Sequence, residues 1–261
     1  MLRRFARQLL LCSTILFCFT PGAFAQAGSG TTFEPTVGQP GKDVVWVPTP
    51  QALVDKMLDM AQVTARDFVI DLGSGDGRTV ITAAKRGARA HGIEYNPEMV
   101  ALAQKNAAAA GVSARATFAK ADLFESDFSK AQVITMFLLP SINMRLRPTL
   151  LNMRPGTRVV SNTFTMEDWQ PDEVATIPNC QNWCTASLWI IPAKVEGAWQ
   201  MPQGTLTLKQ SFQNITGTLG STPVEGKLKG DEITFKAGNT TYTGRVEGNA
   251  LGGSNWRATR R

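Results

Sequence analysis

The sequence has little of what metal centres and histidine-based catalysis require. It contains one histidine, His91, and four cysteines in 261 residues. No cluster with metal-ligand spacing can be assembled from the remaining residues, so the sequence predicts no metal site. His91 lies shortly before the acid that ends a predicted strand, and we interpret it as a structural residue rather than a catalytic one.

The sequence also lacks a strong excess of positive charge. The formal net charge is +6, and only 18% of the residues are charged. Arg3, Arg4 and Arg7 lie in a segment predicted to be removed, which leaves a mature chain of about +3. No stripe of lysine and arginine interleaved with aromatic residues is present, so the sequence disfavours a nucleic-acid partner.

The N-terminal residues are typical of an export signal. The basic residues precede an apolar stretch from Leu9 to Phe19, and Ala23-Phe24-Ala25 forms a small-x-small cleavage site. We predict a signal peptide over residues 1–25, a flexible leader over 26–45, and export, to the bacterial periplasm. The apolar stretch is short for a membrane span. An uncleaved segment anchored in the inner membrane, which would keep the protein near a membrane, is the alternative.

Two cysteines remain after removal of such a signal. Cys180 and Cys184 are separated by three residues, which is not the spacing of a thioredoxin-like pair or a zinc knuckle. In an oxidising compartment they could form a local disulfide. Spacing alone does not fix the geometry of the two side chains, so two unpaired thiols remain equally compatible with the sequence.

Apolar runs and helical periods alternate between residues 46 and 193. Runs predicted as strands are residues 68–72, 90–94, 116–119, 132–138, 157–161 and 186–191, with helices between several of them. This alternation predicts an α/β fold with a doubly wound, mostly parallel, Rossmann-like sheet. Residues 194–261 have no helical period, and their short alternating runs predict a small antiparallel β meander or open barrel.

A glycine-rich loop follows the first predicted strand. Asp71 ends the strand, and glycines follow at positions 73, 75 and 77. A dinucleotide fingerprint would have its third glycine one residue later, where it seats a pyrophosphate. An acid two residues before the first glycine suits a cationic ligand without phosphate. The pattern resembles the first motif of class I S-adenosylmethionine-dependent methyltransferases.

Acids also follow the next two predicted strands, at Glu94 and Asp122. Ligands of open α/β sheets bind at the carboxyl ends of the strands, so these carboxylates are expected to converge. With S-adenosyl-L-methionine as cofactor, Asp71 is expected to bind the amino-acid part, Glu94 the ribose hydroxyls and Asp122 the adenine amino group. The predicted cofactor-binding residues are Asp71, Gly73, Ser74, Gly75, Gly77, Glu94, Tyr95, Asp122 and Leu123.

Further motifs narrow the resemblance. Four segments resemble the family of the mitochondrial ATP synthase c-subunit lysine methyltransferase and its bacterial relatives. They are Val47-Pro48-Thr49-Pro50, the glycine loop, Gly92-Ile93-Glu94-Tyr95-Asn96-Pro97 and Trp169-Gln170-Pro171-Asp172. The resemblance covers about residues 44–192, which leaves out the C-terminal β-module. It implies N-methylation of a protein lysine by a class I methyltransferase.

The acceptor side of the site is less defined. The Asn/Asp-Pro-Pro-aromatic motif of enzymes that methylate adenine or glutamine is absent after the fourth strand, which argues against those substrates. No general base stands out, and the catalytic candidates are Thr135, Asn143, Asn162 and Asp168. The aromatic residues Trp46, Phe137, Phe164 and Trp169 could line an acceptor pocket or pack in the core.

Two other functions are compatible with the sequence. An exported domain could bind S-adenosylmethionine or another nucleoside without turnover, or the fold could serve interaction alone. Because Asp71, Glu94 and Asp122 are all intact, we favour the enzyme. The sequence does not define the oligomeric state.

Overall fold

The computed structural model describes residues 33–261. The predicted signal peptide and the beginning of the predicted leader lie outside this range. A seven-stranded sheet and its flanking helices are formed by residues 51–190. The helices are α1 (Gln51–Met60), α2 (Arg78–Lys85), α3 (Pro97–Ala109) and α4 (Pro140–Leu151).

The sheet has the order β3-β2-β1-β4-β5-β7-β6. Its strands are β1 (Phe68–Leu72), β2 (Arg89–Glu94), β3 (Ala116–Lys120), β4 (Val133–Met136), β5 (Arg158–Asn162), β6 (Glu173–Thr176) and β7 (Thr185–Ile190). The first five run parallel, and β7 runs antiparallel to both β5 and β6. The chain order reverses between β1 and β4, which creates the crevice where such folds bind ligands.

Two apolar clusters lie on opposite faces of the sheet because successive residues of a strand point to opposite sides. On β1, Val69 belongs to the cluster that contains α1, α2 and α3, whereas Ile70 and Leu72 belong to the cluster that contains α4. Strand residues on both faces are therefore buried, as expected for a parallel sheet covered by helices.

The C-terminal β-module is a closed, eight-stranded antiparallel barrel, where the sequence predicted a meander or open barrel. Its strands are β8 (Gly197–Met201), β9 (Gly204–Ser211), β10 (Asn214–Leu219), β11 (Thr222–Lys229), β12 (Glu232–Ala237), β13 (Thr240–Glu247), β14 (Ala250–Gly252) and β15 (Arg257–Arg260). Strand β15 pairs with β8, and this pairing closes the ring. The interior is filled by its own apolar cluster, which includes Trp199 and Phe235.

The barrel packs against the sheet domain through the turn between β9 and β10. Phe212 of this turn stacks on Trp169, with ring centroids 5.6 Å apart. The Gln213 side chain accepts a hydrogen bond from Trp169 Nε1 at 3.0 Å and donates one to the Gln170 carbonyl at 2.8 Å. Gln213 is buried, so these bonds fix the barrel at a defined position on the sheet domain.

Most predicted strands of the sheet are observed within one or two residues of their expected bounds, with the largest difference at β4. Strand β6 was missed. The fourth predicted strand, residues 132–138, is shorter than expected because Pro140 starts α4. Pro50 is the N-cap residue of α1, and no side chain caps this helix.

Residues 38–46 form a small hairpin in the region that the sequence predicted as a flexible leader. The Trp46 amide donates to the Gln39 carbonyl at 2.9 Å, and the Gly38 amide donates to the Trp46 carbonyl at 2.8 Å. Within residues 33–261, no helix is both long and apolar enough to cross a membrane.

Candidate cofactor and acceptor site

A cavity of about 520 Å³ lies at the carboxyl ends of β1, β2, β3 and β4. The loops that follow these strands form its floor, and residues 39–49 form its opposite wall. Eight of the nine predicted cofactor-binding residues line it: Asp71, Gly73, Ser74, Gly75, Glu94, Tyr95, Asp122 and Leu123. The three strand-end carboxylates are therefore brought to one cavity, as the sequence predicted.

Asp71 is the most deeply buried of these carboxylates. Its Oδ1 accepts a hydrogen bond of 2.6 Å from the Thr135 hydroxyl, and only 6% of the residue is exposed. Burial raises the pKa of the Asp71 carboxyl to about 7, and the nearby Asp76 and Glu94 charges contribute to this rise. Hydrogen bonds from Thr135 and Thr79 oppose this shift. A cationic group in the cavity would therefore be stabilised by an ionised Asp71.

Glu94 closes the glycine loop. Its Oε2 accepts from the Gly75 amide at 2.9 Å, and its Oε1 accepts from the Asn96 amide at 2.9 Å. Each carboxylate oxygen can accept more than one hydrogen bond, so Glu94 can bind two ligand hydroxyls while retaining these contacts. Asn96 also caps α3, where its side chain accepts from the Glu98 amide at 2.8 Å.

Asp122 lies at the opposite side of the cavity and pairs with Lys42 of the hairpin. Its Oδ1 accepts from the Phe124 amide at 2.9 Å. The Lys42 ammonium and this amide hold the pKa of the Asp122 carboxyl below its usual value. Lys42 also lies 4.8 Å above the centroid of the Tyr95 ring. Asp122, the acid predicted to bind adenine, is thus already paired with a cationic side chain of the protein itself, Lys42.

Gly77 has a different role from the one predicted. It does not line the cavity among the residues described, and it precedes α2 with a left-handed φ of 82°. A Cβ atom at this position would lie 2.7 Å from the Phe118 ring and 2.9 Å from the Ala103 Cβ. Gly77 therefore permits close packing of the loop against β3 and α3. Gly75 does line the cavity, and a Cβ there would lie 2.6 Å from Trp46 Nε1.

Three aromatic residues form a wall of the cavity near the end of β4. The Phe137 ring centroid lies 5.9 Å from that of Phe164 and 5.5 Å from that of Trp183. Phe164 and Trp183 are 5.6 Å apart. Phe137 and Phe164 were among the predicted acceptor-pocket residues, and both line the cavity, as does Trp46. We refer to Phe137, Phe164 and Trp183 as the aromatic wall.

For Trp169 the sequence left the acceptor pocket and the core open, and the structure places it in the core. The side chain is fully buried between the sheet and the barrel, where it contacts Trp189 and Phe212. Trp183 takes its place in the cavity and was missed by the sequence analysis. It lies in the connection between β6 and β7, beside Cys180 and Cys184, which form a disulfide.

The catalytic candidates do not line the cavity. Thr135 is buried, and its hydroxyl donates a hydrogen bond to the Asp71 carboxylate of the cofactor site. Asn162 is buried as well, and its amide donates to the Thr49 hydroxyl at 3.2 Å. These two side chains hold the walls of the cavity rather than reach into it.

The other two candidates are also placed away from the cavity. The Asn143 amide donates to the carbonyls of Phe164 and Thr165 at 3.3 and 3.2 Å, which fixes the turn that carries Phe164. Asp168 is exposed and forms an ion pair with Arg147. None of the four is placed to take a proton from an acceptor in the cavity.

The single histidine lies away from the cavity. His91 is half-buried on β2, with Nδ1 2.8 Å from the Thr117 hydroxyl, and burial lowers its pKa. It does not line the cavity. Within residues 33–261, no three His, Cys, Asp or Glu side chains are grouped as a metal site would require.

Comparison with known proteins identifies relatives of the sheet domain. Residues 71–173 match the model of the ANTKMT methyltransferase domain. Over 151 residues the chain is 44% identical to a protein-lysine N-methyltransferase of Saccharolobus islandicus, covering 57% of this chain and 94% of that protein. It is 41% identical over 105 residues to the adenine nucleotide translocase lysine N-methyltransferase of Mus musculus, covering 40% of this chain and 46% of that protein. The chain thus spans about half the length of that mouse relative.

A solved structure gives a similar result for the fold. The crystal structure of an RNA methyltransferase from Salinibacter ruber, in complex with S-adenosyl-L-homocysteine, is 47% identical to this chain with a TM-score of 0.54. The match covers 57% of this chain and 96% of that chain. Together with the glycine loop and the convergent carboxylates, these similarities show that the chain belongs to the family of S-adenosylmethionine-dependent methyltransferases that includes the protein-lysine N-methyltransferase of Saccharolobus islandicus.

Proposed function

We propose that the protein transfers the methyl group of S-adenosylmethionine to the ε-amine of a lysine in a protein acceptor. The charge of the cavity carries this proposal. Among the described residues, five carboxylates line it (Asp43, Asp71, Asp76, Glu94 and Asp122), against two basic side chains (Lys42 and Arg78). Such a balance attracts a cationic side chain and repels a phosphate backbone. The lysine methyltransferases among the relatives support the same acceptor.

The residues of the cavity fit the cofactor. The buried Asp71 would bind the ammonium group of S-adenosylmethionine, and Glu94 its ribose hydroxyls. Asp122 would bind the adenine amino group, with Leu123 beside the ring. Bound S-adenosylmethionine supplies a methyl group on a sulfonium, which is a good leaving group. Lys42 pairs with Asp122 Oδ2 and the Phe124 amide donates to Oδ1, and since each carboxylate oxygen can accept more than one hydrogen bond, Asp122 can also accept from the adenine amino group.

The transfer requires alignment and a neutral amine. The lysine ammonium loses a proton to water, and its free electron pair then forms the new N–C bond as the S–C bond breaks and that electron pair passes to sulfur. Desolvation of the amine beside the cofactor favours the neutral form, because desolvation lowers the pKa of a lysine. The chain's contribution is thus to orient and desolvate the acceptor rather than to supply a base.

RNA is a second candidate acceptor because the Salinibacter ruber protein, with 47% identity, is described as an RNA methyltransferase. The two acceptors are separated by incubating the full chain with tritiated S-adenosylmethionine and a cell extract. We expect label that protease removes and ribonuclease does not, and that hydrolyses to Nε-methyllysine. Ribonuclease-sensitive label would refute the lysine acceptor. Cofactor binding without any label would support the non-catalytic alternative.

The cofactor assignment is tested by Glu94→Ala. Loss of a charged acceptor of hydrogen bonds is expected to weaken S-adenosylmethionine binding by about 1–3 kcal/mol in calorimetry. Glu98→Ala is the matched control, because Glu98 is an exposed acid four residues away that does not line the cavity. Equal affinities for the two variants would show that Glu94 does not bind the ribose.

We also propose that the protein is exported. The N-terminal signal pattern supports this location, and so does the Cys180–Cys184 bond, since disulfides persist in oxidising compartments. Mass spectrometry of the N-terminus of protein purified from the periplasm tests cleavage after Ala25. Intact residues 1–25 in a membrane fraction would instead indicate the uncleaved anchor.

A further inference from the structure

Trp183 has a position unlike that of the buried tryptophans of this chain. It lies inside the five-residue loop that the Cys180–Cys184 disulfide closes, and it lines the cavity. Its φ is 59°, a conformation that bulky residues rarely adopt. The Ile177 amide donates to the Cys184 carbonyl at 3.0 Å, so the loop is also closed by the backbone. The covalent link and this bond restrict the backbone that carries Trp183.

The exposure of Trp183 distinguishes it from tryptophans of the core. Its relative exposure is 38%, whereas Trp169, Trp189 and Trp199 are each fully buried. A ring that only filled the interior would not keep this much surface in solvent. Phe137 and Phe164 support one side of the indole, and its exposed part extends the cavity outwards from the end of β4.

The walls that support Trp183 are themselves fixed. Phe164 follows Thr163, whose φ is 57°, and its carbonyl accepts from the Ser161 hydroxyl at 2.6 Å and from the Asn143 amide. The aromatic wall therefore joins three chain segments: the end of β4, the turn after β5 and the disulfide loop. Only the last is held by a bond that a reductant can break.

We propose that Trp183 binds the acceptor lysine and that the Cys180–Cys184 disulfide positions Trp183 for this contact. The methylene stem of lysine would pack on the aromatic wall, and its ammonium would lie against the indole face. The carboxylates deeper in the cavity draw the same charge inwards. This inference rests on the proposed lysine acceptor and assigns the side chains that select it.

The first test compares Trp183→Ala and Trp183→Phe in methyl transfer to a membrane-protein extract of increasing concentration. Loss of a cation–π contact is expected to raise the half-saturating acceptor concentration about three- to thirty-fold for Trp183→Ala. Trp183→Phe keeps an aromatic face and should recover most of this loss. The Kd for S-adenosylmethionine should stay within two-fold, since the cofactor carboxylates are unchanged.

The second test concerns the disulfide. Cys180→Ser/Cys184→Ser should raise the half-saturating acceptor concentration in the presence of Trp183 and add little in the Trp183→Ala background. If the cysteine substitutions raise the half-saturating acceptor concentration equally with Trp183 and with Trp183→Ala, the disulfide does not act through the indole. Unchanged acceptor saturation in Trp183→Ala and in the cysteine variant would overturn the proposal.

A binding experiment separates this proposal from the proposed function. Indole fluorescence of the full chain, saturated with S-adenosyl-L-homocysteine, is titrated with Nα-acetyl-lysine amide and with Nα-acetyl-norleucine amide, which lacks the charge. A response to the lysine compound that is larger than the norleucine response supports the wall even if no methyl transfer is found, and loss of the signal in Trp183→Phe identifies Trp183 as the indole that reports it. Equal responses to both compounds would refute it. Absence of transfer with every extract would count against the proposed function alone.

Discussion

At the scale of single residues, Asp71 combines a structural cost with a functional role. The carboxyl is buried, and its pKa is raised to about 7 in the unliganded protein. A raised pKa means that the folded state binds the proton more tightly than the unfolded state. Stability therefore falls as pH rises from the unfolded pKa, about 4, to the folded one, about 7.

This dependence of stability on pH predicts how Asp71→Asn changes the free energy of unfolding. The amide carries no charge, so the variant should gain stability relative to the native protein as pH rises from 4 to 7, by up to about 4 kcal/mol for a shift of about three units. Urea unfolding of the unliganded proteins at pH 4 and pH 8 measures this difference. We expect the affinity of the native protein for S-adenosylmethionine to increase between pH 6 and 7.5, because the cofactor ammonium prefers ionised Asp71, and we expect Asp71→Asn to lack this increase. Parallel pH profiles for the two proteins would contradict the shifted pKa.

The residue scale also shows how far the sequence can define a site. Asp71, Glu94 and Asp122 were predicted to converge because each lies at or just after the end of a strand of one sheet. Trp183 was not predicted, since it lies in an irregular loop whose course depends on a disulfide that spacing alone could not establish. Asn143 was chosen for its chemistry, but its amide is used by backbone carbonyls.

At the scale of elements, the glycine loop depends on packing as much as on ligand approach. Gly77→Ala should destabilise the protein by about 2–5 kcal/mol, because a left-handed residue would gain a Cβ and that atom would overlap the Phe118 ring. Gly111→Ala is the control, since Gly111 has a φ of 69° and open space around the missing Cβ. It should lose only about 1–2 kcal/mol. Equal losses in chemical unfolding would show that the overlap is relieved without cost.

Elements were predicted well where burial imposes a pattern. Strand β1 is a short, mostly apolar run between α1 and α2, and four of its five residues are buried. Strand β6 escaped prediction because it lies at the sheet edge, where its four residues are exposed or half-buried and no apolar alternation is needed.

At the scale of the whole molecule, the barrel contributes to stability without forming the cavity. No residue after Trp183 lines the cavity among those described, whereas Gln213 fills the contact between the barrel and the sheet domain. Gln213→Ala leaves Trp169 Nε1 and the Gln170 carbonyl without partners. The variant should therefore be destabilised by about 1–3 kcal/mol, with unchanged cofactor affinity.

Thermal unfolding and calorimetry of the same sample measure the two effects. Gln203→Ala is the matched control, because Gln203 is an exposed glutamine in the turn between β8 and β9. A cofactor Kd that changes with Gln213→Ala would show that the barrel communicates with the cavity. Equal melting temperatures for the two variants would show that the contact is not stabilising.

Closure of the barrel restricts how copies of the protein can join by strand addition. In a closed ring each strand has two hydrogen-bonded neighbours, so β8 to β15 offer no open edge to a further strand. The seven-stranded sheet, by contrast, ends at β3 and β6, and Val174 of β6 is 57% exposed. Any fibre or dimer of this protein built by backbone pairing between described strands would therefore have to grow from the sheet, and the ring would be carried along as a passive appendage.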